Sequence, residues 1–111
     1  ANPISLNSAY PTALHGRRFL TDAGKDFKDL VGYSAQEVLN EDLRPPFEVT
    51  IRFYFENRKR RDLENSAKLI LDSLTGVVYE DDSDIFALHL YKTIGVPEVY
   101  FEVEIAELQS Q

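Results

Sequence analysis

Between residues 47 and 55 apolar and polar side chains alternate without a break, Phe47, Val49, Ile51, Phe53 and Phe55 against Glu48, Thr50, Arg52 and Tyr54. A period of two is the mark of an extended strand with one buried face. Five large apolar groups on one face must be covered by something equally apolar, because leaving them in water forfeits the main driving force for folding. The chain supplies a cover a few residues on: Leu63, Ala67, Ile70, Leu71 and Leu74 recur at spacings of three and four. That spacing predicts an amphipathic helix ending near Thr75-Gly76.

Other segments fill in the architecture. Thr21 caps a predicted first helix whose apolar positions Phe27, Leu30, Val31, Ala35, Val38 and Leu39 again follow helical spacing. Two more strands are predicted, Asp84 to Thr93 and Val99 to Ile105. The short link Gly95-Val96-Pro97-Glu98 favours an antiparallel hairpin between them. Ser5 to Pro11 carries turn and loop residues and, with Leu14 to Phe19, is read as an extended, basic entry segment. A length of 111 residues leaves room for one core. The expectation is a single small α+β domain, residues 1–111, with a mostly antiparallel sheet packed with two helices.

Composition excludes several classes. With 43% hydrophobic and 28% charged residues the chain is of ordinary globular type. There is no cysteine, hence neither a disulfide framework nor a thiolate zinc site. No apolar run approaches the roughly 20 residues that span a bilayer, and Ala1-Asn2-Pro3 opens neither a basic stretch nor an apolar one of the secretory kind. A cytoplasmic protein without a membrane or small-molecule cofactor is expected.

The net charge of −7 argues against indiscriminate nucleic-acid binding, since phosphate affinity comes mainly from Lys and Arg. The distribution qualifies the total. Eleven of the twelve basic residues lie between Arg17 and Lys68, whereas residues 69–111 hold nine acids against Lys92 alone. Arg17, Arg18 and the run Arg58, Lys59, Arg60, Arg61 are therefore the candidate DNA contacts.

That run leads directly into Asp62-Leu63-Glu64-Asn65-Ser66-Ala67-Lys68, followed by Asp72 and by Glu80-Asp81-Asp82-Ser83-Asp84. At 3.6 residues per turn, Glu64, Lys68 and Asp72 share one polar helix face, and Asp62 sits where it can cap the free amides. Phosphodiester hydrolysis needs hard cations to neutralise phosphate oxygens and to activate water, and Mg²⁺ takes carboxylate oxygens and waters. Asp62, Glu64 and Asp82 supply such ligands if the turn before the third strand folds back over the helix start, and Lys68 then places a positive charge where the reacting phosphate gains negative charge. The same residues admit a plainer reading, in which Asp62 is a cap, Glu64 with Lys68 a surface pair, residues 80–84 a solvated turn and the basic run a solvated charge cluster. His15 and His89 are too far apart in sequence to suggest a pair and are read as structural.

The segment Arg60-Arg61-Asp62-Leu63-Glu64-Asn65-Ser66-Ala67-Lys68, then Asp72-Ser73-Leu74-Thr75, then Asp81-Asp82, resembles the RusA family of Holliday junction resolvases. The resemblance extends to Ser5-Leu6-Asn7-Ser8-Ala9-Tyr10-Pro11 and Gly16-Arg17-Arg18-Phe19-Leu20-Thr21, so it covers most of the chain. It implies a homodimeric, Mg²⁺-dependent endonuclease, with Mn²⁺ as a substitute ion, that acts on branched DNA and resolves four-way junctions by paired symmetric nicks in a nucleoid-associated setting. The family's three aspartates and lysine fall on Asp62, position 64, Asp82 and Lys68; this chain departs from the pattern with Glu64. Two other readings stay open: a DNA-binding module weakened in catalysis by Glu64, and an acidic interaction protein without nuclease activity.

Overall fold

The alternating segment forms an interior strand of a four-stranded sheet. The computed structural model describes residues 4–9, 43–59 and 62–108, the first of these as backbone. Its elements are β1 (Ile4–Ala9), β2 (Phe47–Phe55), α1 (Leu63–Leu74), β3 (Ile85–Ile94) and β4 (Tyr100–Glu107), with a short 3₁₀ turn at Asp82–Asp84 before β3. The strand order is β1-β4-β2-β3. β2 runs parallel to β3 and antiparallel to β4, and β1 runs antiparallel to β4. The helix expected from Thr21 onward, and Arg17, Arg18, Arg60 and Arg61, lie outside the described residues.

The core lies on the face of the sheet that β2 announces. Phe47, Val49, Ile51, Phe53 and Phe55 are buried there together with Phe101, Val103 and Ile105 of β4 and with Ala67, Leu69, Ile70, Leu71 and Leu74 of α1. Phe53 packs against Phe55 and Phe101 with ring centroids 6.2 and 6.5 Å apart. Two buried polar groups on the helix are satisfied locally: Ser66 Oγ donates to the Asp62 carbonyl at 3.1 Å and Ser73 Oγ to the Leu69 carbonyl at 2.7 Å. Each removes the desolvation penalty that an unpaired buried hydroxyl carries.

The extended entry segment expected at Ser5 to Pro11, not named there as a strand, overlaps the strand Ile4–Ala9, its backbone paired from Ile4↔Ile105 to Ala9↔Tyr100. Edge pairing to β4 overrides the weak strand propensity of Ser and Asn, because propensity is a small term beside a completed hydrogen-bond ladder. The predicted hairpin is not formed. β3 and β4 are not neighbours; they flank β2 on opposite sides. Gly95, at φ +100°, and Val96 both donate to the Phe55 carbonyl, at 2.8 and 3.3 Å, so the link crosses the end of β2 rather than reversing beside β3. The mostly antiparallel sheet is found as expected, with two of its three pairings antiparallel; the exception is β2–β3, which the β2–α1–β3 crossover sets parallel.

Candidate active site

Asp62 begins the site. It is the N-cap of α1: one carboxylate oxygen accepts the Asn65 backbone N–H at 3.1 Å, and the other accepts Asn65 Nδ2 at 2.7 Å. The cap works because the first helical amides have no intrahelical partner and carry the positive end of the helix dipole. Glu64, Lys68 and Asp72 follow on the solvent side of α1, all exposed. Arg58 and Lys59 are exposed in the segment between β2 and α1, where the Lys59 amide donates to Asn57 Oδ1 at 2.9 Å. Asp62, Glu64 and two cations thus meet water at the amino end of the helix, with Lys68 one turn beyond Glu64 and Asp72 in the last turn.

Asp82 belongs to the other end of α1. Gly76, at φ +83°, lets the chain turn back, its amide donating to the Tyr79 carbonyl at 2.7 Å while Val77 and Val78 both donate to the Leu74 carbonyl. Tyr79 is buried against Phe47, ring centroids 6.1 Å apart, and its hydroxyl donates to the Leu71 carbonyl at 2.6 Å. Burial raises the Tyr79 pKa well above its usual value, with the negative charges of Asp82, Asp72 and Asp81 adding to the effect. These carboxylates therefore lie near enough to the tyrosine, at the last turns of α1, to act on it electrostatically. Asp81 caps the 3₁₀ turn by accepting the Ser83 amide at 3.1 Å, and hydrogen bonding to Ser83 holds its carboxyl below the usual range.

Carboxylate oxygens are the right donors for a hard divalent ion. Among the described residues, however, no group of three or more Asp, Glu, His or Cys side chains is gathered closely enough to hold one. Asp62 and Glu64 stand at the start of the helix and Asp82 beside its last turns. The turn does not fold back over the helix N-terminus, which was the condition for the three acids to share an ion. The described part of one chain does not fit a three-carboxylate metal site.

Asp72 and Tyr79 are the residues that sequence reasoning passed over. Asp72 was legible only as one more acid on the polar face, and Tyr79 only as the residue preceding an acidic run. Only the return of the chain after Gly76 brings the tyrosine hydroxyl to the helix backbone.

The opposite face of the sheet is polar and aromatic. Tyr54 and Tyr100 stack at 4.3 Å, Arg52 lies over the Tyr91 ring at 5.9 Å, and His89 Nε2 is 2.8 Å from Glu48 Oε2. A hydrogen bond to Glu102, then burial, raises the Tyr54 pKa. The His89–Glu48 pair spans two neighbouring strands. Compared with known proteins, the chain matches the family model described as "Endodeoxyribonuclease RusA" over residues 2–105. No curated protein matches it.

Proposed function

The chain belongs to the RusA family of endodeoxyribonucleases, and on that premise we propose that it is a divalent-metal-dependent nuclease that cuts four-way DNA junctions by paired nicks as a homodimer. The match over residues 2–105 carries the reading, because it spans every element that bears a candidate residue. Local geometry supports it: Asp62, Glu64 and Lys68 are exposed beside Arg58 and Lys59, where a phosphate can reach them.

Arg58 and Lys59 hold the DNA backbone, and the free amides of the first helical turn add a partial positive charge for a phosphate. Lys68, one helical turn beyond Glu64, supplies fixed positive charge near the strand to be cut. Mg²⁺, replaceable by Mn²⁺, is proposed because the reaction needs a hard cation and the family's acids correspond to Asp62, Glu64 and Asp82. In the described part of one chain these acids are not assembled around one position. A four-way junction has approximate two-fold symmetry, so two identical sites in an isologous dimer match two opposing strands.

The test is a gel assay with a synthetic four-way junction and a matched linear duplex, each in EDTA and in Mg²⁺. Paired nicks confined to the junction with Mg²⁺ are the expected result. A retarded but intact junction in Mg²⁺ selects the second reading, a binding module without cleavage, which the ungathered carboxylates and Glu64 favour. In that case Glu64→Asp, which restores the family's residue, should restore nicking. Neither binding nor cleavage returns the acidic interaction protein to first place.

A further inference from the structure

All of the exposed large hydrophobic side chains among the described residues lie on one strand: Phe86 at 71% exposure, Leu88 at 43% and Tyr91 at 55%. That strand is β3, ten residues long and last in the strand order, so one of its backbone edges has no neighbour among the described strands. Natural proteins blunt such edges with short length, proline, several charges or bulges. β3 has no proline, and Lys92 is its only residue with a permanent charge. Its one irregularity is at its start, where the register jumps from Phe47↔Ile85 to Glu48↔Ala87. From Ala87 to Ile94 the edge is regular, about 26 Å at roughly 3.3 Å per residue, and largely apolar.

From this we infer that the β3 edge is where two copies of the chain join, pairing antiparallel across a two-fold axis. The inference deepens the dimeric part of the proposed function by naming its surface. The charge pattern selects a second copy as the occupant. A nucleic acid requires several cations along the contact, and β3 offers Lys92 alone. The chain carries nineteen acids, yet none is on β3, so two copies approach along this strand without opposing carboxylates. Antiparallel self-pairing is also self-complementary. With His89 opposite His89, Leu88 of one copy faces Leu90 of the other, and Ala87 faces Tyr91. The small residue beside the large one avoids a clash, and the leucines bury apolar surface that the single chain exposes.

The absence of native cysteine allows a direct test. Directly opposed residues of an antiparallel pair have Cα atoms about 4.5 to 5.5 Å apart, inside the roughly 4.4 to 6.8 Å window of a disulfide. Single variants Ala87→Cys, Leu88→Cys, His89→Cys, Leu90→Cys and Tyr91→Cys are oxidised mildly and run on non-reducing gels, with Glu98→Cys as the exposed control. Most of the chain should become a covalent dimer for His89→Cys, or for the neighbour that lies on the axis, while the control stays monomeric. Far-UV circular dichroism and sedimentation are recorded on every variant. A folded chain that is a dimer by sedimentation but cross-links at none of the five positions overturns the inference, as does a folded monomer. Junction cleavage on the same preparations separates the two readings: nicking without β3 cross-links leaves the nuclease standing and removes this interface.

Discussion

Asp62 has an observed duty as helix cap and a proposed one in cleavage, and its cap geometry allows the two to be separated. Its carboxylate accepts two hydrogen bonds from Asn65, at 3.1 and 2.7 Å, at the start of α1. Replacing an N-cap Asp by Ala costs about 1 kcal/mol, whereas Asn caps about as well as Asp. Losing the negative charge near the helix dipole adds roughly 0.3–1 kcal/mol to either change. For 111 residues, an unfolding entropy of about 2.1 cal/mol/K per residue totals about 230 cal/mol/K, so 1 kcal/mol corresponds to about 4 °C in Tm. Asp62→Ala should therefore melt about 5–8 °C below the parent and Asp62→Asn about 1–4 °C below it. Both should lose junction cleavage, because neither retains an anionic oxygen. Thermal melts by circular dichroism and cleavage on a labelled junction are measured on the same samples. Equal Tm losses for the two variants would refute the capping account, and full cleavage by Asp62→Asn would remove Asp62 from the chemistry.

Three further predictions concern other residues, the first resting on the family correspondence at Asp82. Asp82→Asn should abolish metal-dependent cleavage while keeping or strengthening junction binding in a gel-shift titration, since a negative charge near DNA is removed; unchanged cleavage would take Asp82 out of the site. Tyr79→Phe should cost about 1 kcal/mol at pH 8 through loss of the buried bond to the Leu71 carbonyl. The raised pKa of Tyr79 stabilises the fold fully below its usual value of 10.0, and that contribution is lost as pH rises through the higher folded value. Urea midpoints from pH 8 to pH 11 should thus fall further for the parent than for Tyr79→Phe, and parallel curves would count against it. Replacing both Arg58 and Lys59 by Ala should flatten the dependence of log binding on log salt by about 2, at about 0.9 per lost phosphate contact on duplex arms; an unchanged slope would place the DNA elsewhere.

Local periodicity made β2, α1 and β4 legible to within a residue or two, because each alternates or repeats with the period of its element and buries the face so marked; β3 was legible as an apolar run of strand length, although none of its residues is fully buried. The chemistry-bearing residues were legible as types and spacings: an acid at a helix start, and a lysine one turn beyond the next acid. Their mutual arrangement was not, because sequence distance says little about distance across a fold. Asp62 and Asp82 are separated by a helix and a tight turn, and the turn at Gly76 leaves Asp82 beside Tyr79 rather than beside Asp62.

By itself the sequence determined which segments extend and which coil, which faces are apolar and which family the chain resembles, since all of these are carried by residues close together in the chain. Tertiary structure decided the rest. β4 passes β3 and joins the far side of β2, where Phe101, Val103 and Ile105 complete the burial of a strand too apolar to stand at an edge. The segment Ile4–Ala9 becomes a strand because β4 then offers it a free backbone. β3 is left last among the described strands, with Phe86, Leu88 and Tyr91 exposed. A link as short as Gly95 to Val99 is compatible with either side of β2, and the choice rests on how much apolar surface each arrangement buries, a property of the assembled sheet that no stretch of sequence contains.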